Sequence, residues 1–340
     1  MRILMVTDAW YPQVNGVVTT LDRVSGELSA LGHEICLVTH EGRRTFALPT
    51  YPEIRLALAR PKSIAGQIER FAPDCIHIAT EGTLGWIARR HCLKRGLAFT
   101  TSFHSRFPEM IAERLPLPGV ERMAYRVLRR FHAPARATLA PTATVTRRLT
   151  ELGFSDVVTW TRGVDCDRFG PRNTDPFGGL ARPICLNVGR VAVEKNLAAF
   201  LDLDLPGSKV VVGDGPQLPE LRRQYPEVTF TGYRTGEPLV EALAAADVFV
   251  FPSCTDTFGL VMLEALACGV PVAAFPVEGP IDVITSDKVG ALDYDLKAAI
   301  GRALLCRPAD CIAFAAAFSW ARCAEMLESC LTPARPGNRA

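Results

Sequence analysis

The sequence predicts an α/β protein made of two Rossmann-like domains, each built on its own parallel sheet. Short apolar runs typical of buried strands alternate with helical segments, and this alternation favours parallel sheets with right-handed crossovers. A length of 340 residues exceeds what one hydrophobic core usually supports, and 48% hydrophobic residues suffice for two cores. We therefore expect facing domains over residues 1–168 and 169–317, with a cleft between them, and a C-terminal helix over 318–340.

The predicted strands are spread evenly over both halves of the chain. Those of the first half are RILMVTD, HEICLVTH, CIHIAT, AFTTSFH, ATLAPT and VVTWTRG, with helices over Val18–Leu31 and Glu121–Phe131. Those of the second half are ICLNVGR, SKVVVGDG, VTFTGY, DVFVFPS and VPVAAFP. The Pro- and Gly-rich stretch Asp175–Gly179 is expected to link the two domains.

The most informative stretch is DTFGLVMLEALACGV, which begins at Asp256 and directly follows the strand pattern ADVFVFPS. A helix that starts after such a loop offers free N–H groups and a positive dipole end, which suit a phosphate. Asp256 and Glu264 stand on either side of this helix start, with Phe258, Gly259, Leu260 and Val261 between them. Two carboxylates around a phosphate site favour a nucleotide sugar, in which ribose and hexose flank a diphosphate. The alternative is a loop Asp and a surface Glu.

A second phosphate signal lies in Asn187–Arg190 and Glu194–Asn196. The first segment ends a predicted strand at Gly189 and Arg190, and the second is expected to open the next helix with Lys195. Two cations at these places can converge on one diphosphate and neutralise the leaving group of a sugar–phosphate cleavage. Two separately solvated cations are the alternative.

These motifs resemble glycosyltransferase family 4, whose members are nucleotide-sugar enzymes of the GT-B fold. TDTFGLVMLEAL, PQVNGVVTTL, ATEG, FHSRFPEM, TRGVD and GRVAVEKN are most similar to the members that glycosylate diacylglycerol or make sulfolipid. In the family, an acidic residue and a Glu separated by seven residues hold the donor, and Asp256 stands where Glu is commoner. The resemblance reaches to about residue 290. It implies a nucleotide-sugar cleft between the domains and a C-terminal helix that packs on the first domain.

Three places in the first half are candidate site positions. Gly16 and Val17, in a loop after the first strand, would let a backbone approach the ligand closely. His104 ends a strand, where active-site residues cluster, and the resemblance puts a His there beside the transferred sugar. Glu81 also ends a strand and is expected to line the acceptor pocket. A structural His and a surface Glu are the alternatives.

The charge distribution points to a membrane partner for the first half. Residues 1–165 hold 22 Lys and Arg against 15 Asp and Glu, whereas residues 166–340 hold 16 against 21. Arg126, Arg129 and Arg130 lie in the most basic stretch, which is interleaved with large apolar residues and suits an anionic membrane surface. A solvated helix face is the alternative, and no nucleic-acid-binding module is recognisable, so we expect no nucleic acid.

Several other classes of protein are disfavoured. The N-terminus reads as a buried strand rather than a signal peptide, and uncharged apolar runs such as Cys311–Ala321 are too short to span a bilayer. The eleven scattered cysteines form no Cys-x-x-Cys pair, which fits a reducing cytoplasm. Three Asp-x-Asp pairs, at residues 165/167, 202/204 and 293/295, are expected to form turns and caps rather than a metal site. We expect neither an essential metal nor another cofactor.

The sequence therefore predicts a retaining hexosyltransferase. The expected donor is a nucleotide sugar, UDP-linked, carrying a hexose of the glucose, galactose or glucuronic acid type, and the expected acceptor is a membrane lipid such as diacylglycerol. Such an enzyme would be cytoplasmic and peripheral on the inner face of the membrane. The alternatives are a GDP-mannose-dependent α-mannosyltransferase with a phosphoinositide, polyprenol or polysaccharide acceptor, a nucleotide-sugar epimerase, a sugar phosphorylase, and a non-catalytic nucleotide-sugar-binding protein.

Overall fold

The computed structural model describes residues 1–13, 15–48, 51–115 and 117–335. The chain divides into two compact units, of which the first is Met1–Thr161 with the segment that begins at Trp320, and the second is Arg162–Ser319. Each unit contains a six-stranded sheet in which all neighbouring strands are parallel. The predicted α/β class with two parallel-sheet, Rossmann-like domains is therefore confirmed.

The first unit alternates strands and helices and adds one hairpin. Its strands are β1 (Arg2–Val6), β2 (Glu34–Val38), β3 (Thr45–Leu48), β4 (Tyr51–Ala57), β5 (Cys75–Ile78), β6 (Thr100–Ser102), β7 (Thr138–Ala140) and β8 (Val157–Thr159). Its helices are α1 (Gly16–Ala30), α2 (Pro61–Phe71), α3 (Thr83–Arg95), α4 (Phe107–Arg114), α5 (Val120–His132) and α6 (Ala143–Glu151). The sheet order is β2-β1-β5-β6-β7-β8, so the order reverses between β1 and β5.

The second unit has a sheet in the order β11-β10-β9-β12-β13-β14, which reverses between β9 and β12. Its strands are β9 (Ile184–Val188), β10 (Ser208–Val212), β11 (Thr229–Gly232), β12 (Val248–Phe251), β13 (Val272–Ala274) and β14 (Gly290–Leu292). Its helices are α7 (Ala198–Leu201), α8 (Leu218–Gln224), α9 (Glu237–Ala244), α10 (Leu260–Ala267), α11 (Pro280–Val283), α12 (Leu296–Ala303) and α13 (Pro308–Ala315). A 3-10 turn, Val193–Lys195, precedes α7.

Continuous apolar runs form the central strands because both faces of each sheet are covered. In the second unit, Phe249 packs into one buried cluster while Val248 and Val250 pack into the other, since successive side chains point to opposite faces. Because both faces of the sheet are covered by apolar side chains, polar residues are found in the loops at the carboxyl ends of the strands.

The last described helix, α14 (Trp320–Cys330), belongs to the first unit and packs against α1. His33 Nε2 lies 3.0 Å from Glu328 Oε1, and the indole N–H of Trp160 donates to the carbonyl of Cys323 at 2.8 Å. Beyond the helix, the backbone N–H of Ala334 donates to the carbonyl of Asp74 at 2.7 Å. The first unit is thus built from two segments that are far apart in the sequence.

Three features differ from the sequence-based expectations. The antiparallel β3–β4 hairpin and the edge strand β14 were not predicted. The stretch Asp175–Gly179, predicted as a linker, lies inside the second unit. It forms a turn in which the carboxylate of Asp175 accepts hydrogen bonds from the backbone N–H groups of Phe177, Gly178 and Gly179. Phe177 packs on the core of the unit, which holds this turn in place.

Among the described residues, no single helix has the length and hydrophobicity to cross a bilayer. One pair of helical segments, Leu296–Ala303 with Pro308–Cys330, meets the length and composition criteria together, but it is bent by 98°.

Candidate functional site

The loops that leave β9 and β12 carry most of the predicted donor residues. Asn187, near the end of β9, is buried and its Nδ2 donates to the carbonyl of Val250 in β12 at 3.0 Å, which ties the two strand ends together. The loop after β9 also packs backbone to backbone on the loop after β10. A Cβ on Gly213 would lie 1.8 Å from the carbonyl oxygen of Gly189, so only glycine fits at position 213. This close packing holds Gly189 and Arg190 at the sheet edge.

Lys195 lies in the 3-10 turn Val193–Lys195 and not in the first turn of a helix. The prediction that Glu194–Asn196 opens the next helix is therefore wrong. Asn196 adopts a left-handed conformation, with φ of 50°, and α7 begins only at Ala198.

The loop after β12 is fastened to this turn by side-chain hydrogen bonds. The hydroxyls of Ser253 and Thr255 both donate to the carbonyl of Glu194, at 3.2 and 3.3 Å. Asn196 Nδ2 donates to the carbonyl of Pro252 at 3.2 Å. The two loops therefore form one connected structure, which brings residues near 195 beside residues near 256.

Both predicted cations of this structure are paired with carboxylates of the same unit. Lys195 Nζ lies 2.8 and 2.7 Å from the two carboxylate oxygens of Asp256, and Arg190 forms an ion pair with Glu194. Burial alone would raise the pKa of Asp256, but the charge of Lys195 and its hydrogen bonds hold that pKa below its usual value. The structure thus brings together Arg190, Lys195 and Asp256, and adds Glu194. Because Arg190 lies in a loop rather than on a helix, the helical spacing rule for ion pairs could not have indicated its pair with Glu194.

The helix α10 begins at a glycine that its geometry requires. Gly259 has a φ of 81°, and a Cβ there would lie 2.8 Å from Met262 Cε and 3.0 Å from Phe251 Cζ. Phe258 is buried in the core beside this turn, and Leu260 and Val261 are half-buried. Glu264 is half-buried further along α10, about 7 Å along the axis from Gly259 at 1.5 Å per residue. A diphosphate at the helix start and a hydroxyl group beside Glu264 are compatible with this spacing.

In the first unit, the N-terminus of α1 is capped internally. Asn15 Oδ1 accepts hydrogen bonds from the backbone N–H groups of Val17 and Val18, both at 3.0 Å. Val17, which we predicted to lie in a loop at the nucleotide-sugar site, is therefore in the first turn of α1, and its N–H is already used by the cap. Gly16 is the first residue of the helix and has no side chain to limit the approach of a ligand.

His104 and Glu81 follow neighbouring strands of the first sheet. His104 lies just beyond β6 and is 9% exposed, with its ring edge-on to Trp160 at a centroid distance of 5.9 Å. Glu81 follows β5, and its Oε1 lies 3.1 Å from Nε2 of His132. The sequence reasoning missed His132, because no spacing rule relates the end of a helix to a loop 51 residues earlier.

The helix α5 divides its residues between a buried and an exposed face. Tyr125 is buried and its hydroxyl donates to Glu109 at 2.6 Å; desolvation and this carboxylate raise the pKa of Tyr125. The exposed face carries Arg122, Arg126 and Arg130 at intervals of four residues, here called the arginine row, with Met123 and Val127 exposed alongside. Arg129 points elsewhere, because its guanidinium donates to the carbonyl of Leu152 at 3.3 Å.

Residues of the Asp-x-Asp pairs make hydrogen bonds or ion pairs with other residues of the same unit. Asp295 caps α12 by accepting from the N–H of Ala298, Asp202 accepts from the hydroxyl of Tyr225, and Asp293 pairs with Arg302. In the ranges that the structure describes, no group of three His, Cys, Asp or Glu side chains is arranged to hold a metal ion.

Comparison with known proteins gives matches over both units. The sequence profile of Glycosyltransferase Family 4 matches residues 14–168, and that of Glycosyl transferases group 1 matches residues 182–321. A GDP-mannose-dependent alpha-mannosyltransferase of Mycobacterium tuberculosis (strain CDC 1551 / Oshkosh) is 32% identical over 86% of this chain and 83% of its own. Sulfoquinovosyl transferase SQD2 of Arabidopsis thaliana is 30% identical over 86% and 62%. An alpha-monoglucosyldiacylglycerol synthase of Streptococcus pneumoniae is 28% identical over 91% and 79%.

Solved structures show the same fold at low sequence identity. Sucrose-phosphate synthase from Thermosynechococcus elongatus matches 96% of this chain and 97% of its own with a TM-score of 0.74 and 19% identity. HepE of Anabaena, in complex with UDP-glucose, matches 97% and 100% with a TM-score of 0.71 and 16% identity. These likenesses confirm the predicted GT-B type of architecture.

Proposed function

Because the chain belongs to glycosyltransferase family 4, we propose that it transfers a hexose from a UDP-linked sugar to a hydroxyl of a membrane lipid such as diacylglycerol, with retention of configuration. One observation carries the donor half of this proposal. The loops after β9 and β12 bring two cations and two carboxylates together where the order of the second sheet reverses. Open α/β sheets bind nucleotides at the carboxyl ends of strands beside such a reversal.

The diphosphate of the donor takes the place of the carboxylates around Arg190 and Lys195. Phosphate oxygens make strong charge-assisted hydrogen bonds with both kinds of cation. Asp256, once its bonds to Lys195 are loosened, accepts from hydroxyls of the hexose, and Glu264 accepts from the ribose. The remaining donor contacts come from the two loops, at Gly189 and Phe258–Val261.

Transfer with retention places the attack and the departure on one face of the sugar. The bond between the anomeric carbon and the phosphate oxygen breaks, the acceptor oxygen bonds to that carbon, and the hydroxyl proton passes to the leaving phosphate oxygen. Arg190 and Lys195 neutralise the charge that grows on the leaving group, so the proposal needs no metal ion. His104 hydrogen-bonds the transferred sugar or the β-phosphate, and Gly16 allows close approach of the backbone.

The acceptor half of the proposal rests on the arginine row of α5 and its apolar neighbours, Met123 and Val127. Each basic residue near an anionic leaflet contributes about 1 kcal/mol to binding, and exposed apolar side chains add burial in the interface. Two relatives, the Arabidopsis sulfoquinovosyl transferase and the pneumococcal monoglucosyldiacylglycerol synthase, support a lipid acceptor. We place the protein on the inner face of the cytoplasmic membrane as a peripheral enzyme.

A second candidate is supported by the mannosyltransferases among the relatives. The Mycobacterium tuberculosis protein, which is named as GDP-mannose-dependent, is 32% identical and covers 86% of this chain. The same loops would then bind the diphosphate of GDP-mannose, and the acceptor would be a phosphoinositide, a polyprenol or a polysaccharide.

A donor screen distinguishes these candidates. Purified protein is incubated with radiolabelled UDP-glucose, UDP-galactose, UDP-glucuronic acid or GDP-mannose and a lipid extract, with and without excess EDTA. Labelled diacylglycerol from a UDP-sugar, with the α configuration by NMR, supports the proposal. Label from GDP-mannose alone replaces it with the second candidate, and label confined to soluble glycans removes the lipid acceptor. The Arg190→Ala variant, prepared in parallel, reports contaminating transferases.

A further inference from the structure

His132 forms a buried link between two strands of the first sheet. It is the last residue of α5 and 3% exposed. Its Nε2 lies 3.1 Å from Oε1 of Glu81, which follows β5, and its Nδ1 lies 2.9 Å from the hydroxyl of Thr101, in β6. The rings of Phe131 and Phe154 pack around it, with centroids 5.0 and 5.7 Å away. Both nitrogens are therefore engaged, and the ring has little freedom to turn.

The hydrogen bonds of this link have a direction. The carboxylate of Glu81 can only accept, so the proton of this bond lies on Nε2 of His132, and in that tautomer Nδ1 can accept from the hydroxyl of Thr101. The hydroxyl of Thr138, in β7, lies 3.2 Å from that of Thr101 and can donate to it. A chain of hydrogen bonds thus runs from Thr138 in β7 through Thr101 in β6 and His132 to the carboxylate of Glu81 after β5. Thr101 lies three residues before His104.

One oxygen of Glu81 is left for a ligand. The side chain is 24% exposed, and Oε1 accepts from His132. Within the part of the chain that the structure describes, Oε2 has no hydrogen-bond partner. A carboxylate with one oxygen fixed by a buried ring and the other open is suited to accept a hydrogen bond from an alcohol.

The same helix carries the arginine row on its exposed face. Arg89 secures the end of α5, because its guanidinium donates to the carbonyls of Phe131 and Arg130 at 2.8 and 2.6 Å. The C-terminal end of α5, where His132 contacts Glu81, is thereby fixed in position. The arginine row, which we propose binds the membrane, lies on the same helix.

We propose that His132 is a positioning residue for the acceptor: it orients Glu81 so that Oε2 receives a hydrogen bond from the acceptor hydroxyl. This inference rests on the proposed function, and it extends that function from the donor to the recognition of the acceptor alcohol. It requires that loss of His132 weakens acceptor binding and leaves the donor reaction alone.

The test uses His132→Phe, which keeps an aromatic ring of similar size and removes both nitrogens, and His132→Gln, whose amide can donate to Glu81 and accept from Thr101. We expect His132→Phe to raise the KM for the acceptor about tenfold, the value of one lost hydrogen bond. The KM for the donor and its slow hydrolysis without acceptor should stay at wild-type values. His132→Gln should return the acceptor KM to within about threefold of wild type.

A second comparison isolates the action through Glu81. In a Glu81→Gln background, His132→Phe should have little further effect on the acceptor KM, because the carboxylate that it orients is gone. The matched control is His33→Phe, which breaks another His–Glu pair of the same unit and should leave the acceptor KM unchanged. Equal effects of His132→Phe with and without Glu81, or a donor KM that rises in parallel, would overturn the inference. The measurement uses the acceptor that the wild type accepts, so a soluble acceptor refutes the lipid proposal and still tests His132.

Discussion

Lys195→Met tests whether the lysine acts on the donor or only balances Asp256. In the wild type, each partner of this pair is about a quarter exposed, and two bonds of 2.8 and 2.7 Å join them. Breaking a fully buried pair costs about 3–5 kcal/mol, and partial exposure reduces this to roughly 2 kcal/mol. We expect that loss in the free energy of unfolding at pH 7, measured by circular dichroism in urea.

The pH dependence of this loss has a defined sign. The pKa of Asp256 is lower in the folded protein than its usual 3.8, so the pair stabilises the fold above that pH, and this stability is lost as the pH falls through the folded pKa. In Lys195→Met the charge that lowers the pKa of Asp256 is gone while burial, which raises it, remains, so we expect the pKa of Asp256 to rise. The stability difference between the two proteins should therefore be largest near neutral pH and shrink in acid.

The Asp256→Asn background separates the effect of Lys195 on stability from its effect on donor binding. Asparagine carries no charge at position 256, so replacing Lys195 there leaves no carboxylate unpaired. In that background, Lys195→Met should cost little stability but weaken UDP binding by about 2 kcal/mol, or roughly thirtyfold, as expected for one lost charge-assisted hydrogen bond. Titration calorimetry with UDP measures this. Lys297→Met, an exposed lysine of α12, is the control for the change in charge. An unchanged UDP affinity in the double variant would refute a role of Lys195 at the diphosphate.

Three further predictions concern the arginine row, the ribose and the α10 turn. Replacing the arginine row with Ser should lower binding to anionic vesicles by up to about two decades at low salt and by less at high salt, measured by flotation. Its control replaces three exposed arginines elsewhere in the first unit, Arg44, Arg70 and Arg90. Glu264→Gln should weaken UDP about tenfold by calorimetry, because a charged acceptor becomes neutral, and equal affinities would remove the ribose role. Gly259→Ala should cost about 1–3 kcal/mol of unfolding free energy in urea, because φ is 81° and the new Cβ meets Met262, whereas Gly301→Ala, in open space, should not destabilise.

The parallel sheets could be predicted because their central strands are continuous apolar runs. VFVF in β12 is buried throughout, and such a run bounded by loops indicates a strand covered on both faces. In the β3–β4 hairpin, TFAL of β3 is too short to show a period, whereas EIRLA in β4 alternates polar and apolar residues and could have indicated a strand. Local pattern therefore predicted the central strands of the two sheets, and it missed both the separate β3–β4 hairpin and the short edge strand β14 of the second sheet.

The candidate donor site was predictable in its residues and not in its pairing. Arg190 and Asp256 follow strands, and the carboxyl ends of neighbouring parallel strands meet at one edge of a sheet. The bond between Lys195 and Asp256 joins residues 61 positions apart, and it depends on a turn that ends when Asn196 becomes left-handed. Neither the distance nor that conformation has a signature in the spacing of residues.

The first unit is closed by residues that are synthesised long after its sheet. Translation runs from the N-terminus, so α14 leaves the ribosome only after Arg162–Ser319 has been made, on the order of 10–30 s later at 5–20 residues per second. Until then the indole N–H of Trp160 lacks the carbonyl of Cys323, and α1 exposes the surface that α14 later covers. The nascent chain therefore holds an unfinished first unit for as long as the residues of the second unit are being added. During that interval the face of α1 that packs against α14 in the finished unit is open to contacts with other proteins.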